Sequence, residues 1–191
     1  MPDAAIDLFQ PPAPDGGGGR RRLIACVWTA HAARLFPSLS DASRRAVLAQ
    51  FRDRVVSDPH VNAAQIELVR STWARVRPVQ TAAAELFYGK LFELEPRLQP
   101  LFKGDIAAQG QKLMHMLDVA VRGLEHPQAL APAFRDLGRR HQRYGAAPTD
   151  YGTVAIALLW TLEQVLGQAF TADVRLAWTE AYTLIWRLMQ A

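Results

Sequence analysis

The stretch Leu130-Ala-Pro-Ala-Phe134-Arg-Asp-Leu137-Gly-Arg-Arg-His141-Gln-Arg-Tyr-Gly145 decides the fold class, because its apolar and charged residues separate cleanly. His141 follows Leu137 by four residues and Phe134 by seven, so all three share one side of an α-helix. Arg135, Arg139, Arg140 and Arg143 take the other side. A helix of this kind turns its arginines to water and its imidazole toward an apolar interior. His141 is therefore placed on the interior side of its helix.

Outward from that helix the same period repeats in both directions. Asn62 is a candidate N-cap, followed by Ile66, Val69, Trp73 and Val76 at helical spacing up to Pro78. A second helix is expected from about Pro78 to Leu94, with Ala83, Leu86, Phe87, Leu91 and Phe92 on its apolar side. Pro96 and Pro100 bracket a turn-like piece, and Asp105 can cap a third helix carrying Gln109, Leu113, Met116, Leu117 and Ala120. His126-Pro127 breaks the chain before the His141 helix. Pro148 and Thr149 precede a strongly apolar helix with Val154, Leu158, Leu159, Leu162 and Leu166, which Gly167 stops. Thr171 opens the last helix, with Val174, Trp178, Ala181, Ile185 and Leu188. No alternating run with hairpin signals occurs, so the expected class is all-α.

The N-terminal part reads differently. Residues 1–22 hold Pro11, Pro12, Pro14 and four consecutive glycines from Gly16, a composition that buries too little to offset its ordering entropy, so disorder is expected. Residues 23–61 form an extension of uncertain, partly helical character, with Asp41–Val56 as a candidate amphipathic helix. Residues 62–191 form the folded domain in this reading. The Arg20-Arg21-Arg22 run could touch phosphate, but nothing beside it supplies base-reading or stacking groups, so nucleic acid is not an expected partner. The net charge of +4 is modest. No apolar run reaches the roughly 18 to 20 residues that span a bilayer, and the acidic, proline-rich start is unlike a secretory signal. Cys26, the sole cysteine, allows no internal disulfide and no CxxCH attachment of heme, which suits a cytoplasmic protein.

Four other histidines compete with His141. His31 and His60 lie in the extension, His126 sits at a helix break, and His115 falls about 200° round from Leu113, away from the apolar stripe. All four read as solvent-facing. A buried imidazole ordinarily hydrogen-bonds a neighbour, so His141 taken alone reads more readily as a core residue than as a ligand. Neutral imidazole is also a good iron ligand. No second histidine or cysteine shares its face, which argues against a closed zinc site. One inward histidine in an apolar helical pocket suits a cofactor that brings its own equatorial ligands, as heme does.

The chain resembles the globins, specifically the bacterial single-domain and flavohemoglobin-type globins, over about residues 62–190. Glu85-Leu-Phe-Tyr-Gly-Lys-Leu-Phe92 resembles the globin B helix, Pro100-Leu-Phe102 the corner whose phenylalanine packs on heme, and Gln109-Gly-Gln-Lys-Leu113 the distal face of helix E. Leu137-Gly-Arg-Arg-His141 with Tyr144-Gly145 resembles helix F and its proximal histidine. The resemblance implies a globin fold of about six to seven helices around a pocket for non-covalent heme b. It implies His141 as the iron ligand, with Phe102, Lys112, Leu113, Leu137 and Tyr151 against the cofactor and Tyr88, Gln109 and Leu113 lining the distal side. Tyr151, ten residues after His141, matches the proximal tyrosine of flavohemoglobin-type globins, whereas their late-helix glutamate has no counterpart before Ala191. Reversible binding of oxygen, or of another diatomic gas such as nitric oxide or carbon monoxide, is the expected, non-enzymatic function, with oxygen transport the corresponding role. Nitric oxide dioxygenase chemistry is an alternative, and it would need a separate reductase, because no GxGxxG pattern or length for a flavin domain is present. Heme-based gas sensing and a heme-free helical interaction module remain further readings.

Overall fold

Asn62 opens the first helix by a reciprocal cap: its side chain accepts the Gln65 backbone N–H at 2.9 Å, and the Gln65 side chain accepts the Asn62 N–H at 3.0 Å. The computed structural model describes residues 61–102, 104–147 and 150–191. Among them all regular structure is helical: α1 Ala63–Val76, α2 Gln80–Leu94, α3 Ile106–Gly123, α4 Pro127–Arg143, α5 Asp150–Leu166 and α6 Ala172–Gln190. Short 3₁₀ turns occupy Arg77–Val79, Pro96–Leu101 and Gly167–Ala169. The expected features of residues 1–60, including Cys26, Arg20 to Arg22, His31, His60 and the Asp41–Val56 helix, lie outside the described residues.

Capping follows the sequence closely. The Asp105 carboxylate accepts the Ala107 N–H and the Thr171 hydroxyl accepts the Val174 N–H, each satisfying an amide that the first turn leaves free. Pro127 stands at the start of α4, where its missing N–H costs nothing. Two details differ from expectation. The second helix begins at Gln80 rather than Pro78, because Pro78 is taken into the tight turn joining α1 to α2. Leu86, expected on the apolar side, is exposed, since the buried arc of α2 runs through Ala83, Ala84, Phe87, Tyr88 and Leu91.

α5 is buried almost all round, which explains its unbroken apolar sequence. α2 packs on α5 and α3, α1 on α6, and α4 on α6. Two glycines set how closely the helices approach. A Cβ at Gly110 of α3 would come within 2.8 Å of the Ala84 Cβ on α2, and one at Gly138 of α4 would collide with the Met189 carbonyl on α6. The larger core gathers side chains of α1, α2, α3, α5 and α6, among them Val69, Phe87, Leu162 and Trp178. A smaller core holds Ala120, Leu130, Phe134, Tyr151 and Met189. One polar pair in the buried interior crosses helices: the Trp178 indole N–H donates to the Thr72 hydroxyl at 3.0 Å.

Candidate functional site

α4 puts Leu130 and Phe134 into the smaller core and leaves Leu137 and His141 half-buried at its edge. His141 Nδ1 lies 2.9 Å from the Leu137 carbonyl one turn back, and a carbonyl only accepts, so Nδ1 is the protonated nitrogen and Nε2 carries the lone pair. Burial pushes the imidazole below its usual value; the Leu137 carbonyl opposes that shift and the Arg140 guanidinium adds to it. The ring is thereby favoured as neutral imidazole, the form that ligates a metal. Its backbone is fixed as well. Gly145 takes φ +88°, the Ala146 N–H donates to the His141 carbonyl at 3.0 Å, and the Gly145 N–H donates to the Gln142 carbonyl at 3.1 Å. That pattern closes the helix just behind His141 and requires the left-handed backbone that glycine adopts freely.

Tyr151 of α5 stands beside this histidine, ring centroids 6.3 Å apart and tilted 33°. Its hydroxyl is buried without a hydrogen-bond partner. Burial pushes the phenol up; Gln190 is close enough to pull it partly back without reaching hydrogen-bonding geometry, and the Asp150 carboxylate adds to the rise. The Tyr182 hydroxyl donates to the Tyr151 carbonyl at 2.6 Å and so ties α6 to α5 at this point.

A second group of the expected residues meets where α2 faces α3. Tyr88 is buried and packs edge-on against Phe102 at 5.3 Å and Phe87 at 5.1 Å, while Phe92 and Phe102 meet at 5.4 Å. The Tyr88 hydroxyl donates to the Gln109 backbone carbonyl at 3.5 Å, a long and therefore weak bond. Burial raises its pKa to about 12, which keeps it a hydrogen-bond donor at neutral pH. Gly110 makes this meeting possible by letting α3 close on Ala84. Gln109, Leu113 and Phe102 are half-buried, and Lys112 is on the exposed side of α3.

The structure thus brings Tyr88, Phe102 and Gln109 together, and separately brings Leu137, His141 and Tyr151 together. The first group draws on α2, the segment after it and α3, the second on α4 and α5, and α3 touches α4 while α2 packs on α5. Half-buried apolar side chains extend along two of these helices: Leu113, Met116 and Leu117 on α3 and Leu137 on α4. His115 and His126 are exposed, as expected. Among the described residues no three His, Cys, Asp or Glu side chains gather as a metal cage. A single imidazole lone pair beside half-buried apolar side chains fits a metal that carries its own planar ligand set, and heme is such a group.

Sequence reasoning missed the supports of this site. The Tyr182–Tyr151 bond joins residues far apart in the chain and leaves no local signal. Asp150 is buried, accepts the Ala147 N–H at 2.7 Å and pairs with Arg97 at 2.5 Å, fastening the segment before Phe102 to the start of α5. An acidic residue opening an apolar helix was the sole hint of it.

The profile of the family described as Globin matches residues 85–189. A neuroglobin of Tetraodon nigroviridis is 30% identical over 133 residues, covering 62% of this chain and 84% of that protein. Neuroglobin-1 of Oncorhynchus mykiss is 29% identical with the same coverage. Among solved structures, an engineered carbene transferase from Rhodothermus marinus, described as a candidate nitric oxide dioxygenase, is similar with a TM-score of 0.62 and 28% identity, over 69% of this chain and 92% of its own.

Proposed function

Since this chain belongs to the globin family, which implies heme-based gas binding, we propose that it binds oxygen reversibly at a heme b held through His141 Nε2. The observation that carries this reading is the fixed tautomer: the Leu137 carbonyl holds the Nδ1 proton and leaves Nε2 as the ligating nitrogen. Bound there, heme would supply the iron that takes up a diatomic gas. Everything else is the work of the chain. Leu113, Leu137 and Phe102 offer apolar surface to the porphyrin, and Lys112, at the exposed rim of α3, is a cation for its carboxylates. Tyr151 backs the His141 ring. Tyr88, held as a neutral phenol and only weakly bonded to the Gln109 carbonyl, would be a donor for the gas, and the Gln109 amide would be a second.

A phenol donor at Tyr88 would favour a gas that accepts a hydrogen bond well, oxygen, over one that accepts it poorly, carbon monoxide. A hydrogen bond to a charged acceptor contributes about 1.5 to 3 kcal/mol, which corresponds to roughly ten- to a hundredfold in off-rate. Tyr88→Phe should speed oxygen release by that factor while the carbon monoxide off-rate moves far less. Equal off-rates for oxygen in the two proteins would remove Tyr88 from the account.

The same reading takes residues 62–191 as the heme-holding unit, assumes the cytoplasm in line with the single cysteine, and takes the globin to be of the bacterial type. Support for that finer type comes from the likeness to the Rhodothermus marinus protein. That likeness also favours a second reading, conversion of nitric oxide to nitrate with electrons from a separate reductase. Nitrate formed in step with nitric oxide consumed, in the presence of a supplied reductase, would select it over oxygen binding alone. Among the described residues no helix is long and apolar enough to cross a membrane.

A further inference from the structure

A groove of about 370 Å³ runs along the flank where α1 meets α3, and none of its lining residues belongs to the candidate heme site. From α1 it takes Arg70, Trp73 and Ala74, and from the turn just after it Arg77, all on one side. From α3 it takes Asp118, Val121 and Arg122. Three guanidiniums therefore converge on a groove that holds one carboxylate. Asp118 is fully engaged: it accepts the Trp73 indole N–H at 2.9 Å and pairs with Arg122 at 2.5 Å and Arg77 at 3.6 Å. Arg70 reaches to the rim, where it pairs with Glu125 at 2.6 Å. Even with Glu125 counted, positive charge is in excess. The Arg77 and Arg122 side chains keep 57% and 68% of their surface open, so their forks have donors to spare.

Between these arginines Val121 and Trp73 line the groove with the 4% and 3% of their surface that stays open. An arginine rim beside a narrow apolar strip suits a small molecule with an anionic head and a short organic body. The charge count selects the head. A monocarboxylate would bring only what Asp118 already provides, whereas a phosphate dianion engages two guanidinium forks at once, in the geometry that they match best. We propose that this groove is a binding site for a small organic phosphate, its phosphate held by Arg77 and Arg122 with Arg70 behind, and its body laid over Trp73 and Val121. The site is independent of whether heme binds.

The test uses the full chain as purified and adenosine monophosphate as the probe, followed by calorimetry and by the indole N–H resonance of Trp73. The expected result is saturable binding of one equivalent, a shift of that resonance, and weakening at about 0.5 M salt, where exposed charges are screened. The double replacement Arg77→Gln with Arg122→Gln should weaken binding by about tenfold or more. Asp118→Asn keeps an acceptor for the Trp73 indole but removes the competing charge, so it should bind the probe more tightly than the parent. Adenosine should not bind. Failure of both the parent and Asp118→Asn to take up the probe would overturn the proposal. So would binding that is indifferent to the double replacement, or adenosine binding as tightly as its phosphate.

Discussion

His141 shows how much one side chain can be read in advance and where the reading ends. That it faces inward follows from Phe134 and Leu137 alone, at seven and four residues back. Which nitrogen is protonated does not, because that depends on the Leu137 carbonyl lying 2.9 Å from Nδ1. Tyr151 could be matched to a family position, yet its unpartnered hydroxyl and its clamp from Tyr182 are long-range facts. The clamp is testable by itself. Tyr182→Phe removes one hydrogen bond to a backbone carbonyl and should cost about 1 kcal/mol in urea unfolding. The same change should move the iron–histidine stretching band of the heme-loaded ferrous protein, because α6 holds Tyr151 against His141 through it. A band at the parent frequency would show the clamp to be structural only.

Elements were legible where their ends carry polar caps and their faces carry a clean period. Asn62, Asp105 and Thr171 cap the helices they were expected to cap, since each needs only its own side chain and a nearby backbone amide. Leu86 was misplaced because period alone gives the direction of an apolar arc, not its width, and small Ala83 and Ala84 mark the true contact line on α2. Helix ends closed by backbone geometry are harder to read. Gly145 terminates α4 in the left-handed region, so Gly145→Ala should destabilise the fold by about 1 to 2 kcal/mol and loosen the turn that carries His141. Thermal unfolding and heme dissociation rates would register both effects. At Gly138 the constraint is contact rather than backbone. An added methyl group meets the Met189 carbonyl, and α4 must move off α6 at a cost of about 1 to 3 kcal/mol or more. Gly138→Ala binding heme as tightly as the parent would argue that the α4–α6 distance does not position His141.

At the scale of the molecule, among the described residues five helices with one buried side pack around the apolar α5 in an all-α core. Their mutual approach could not be read from sequence. The meeting of Tyr88 with the Gln109 carbonyl depends on Gly110 closing against Ala84, and the fastening of Phe102's segment to α5 depends on Arg97 and buried Asp150. Surface charge shapes how stability changes with acidity. The Trp73 indole hydrogen bond, with Arg122 and Arg77, holds the Asp118 carboxyl below its ordinary value of 3.8 in the folded state. Stability from a carboxylate lowered in this way is present above that value and is lost as pH falls through the folded one. Asp118→Asn should therefore flatten the acid limb of a stability profile below about pH 4 and leave its slope at neutral pH unchanged. An acid limb as steep as the parent's would mean that other carboxylates carry it.

The most direct test of the central claim is the visible spectrum of the purified protein with heme added, in ferric, ferrous and carbon monoxide forms, beside His141→Ala. The account predicts a sharp Soret band that shifts on adding carbon monoxide, and its loss or strong alteration in the variant. A chain that takes up no heme saturably, or a Soret band that His141→Ala leaves untouched, would contradict it.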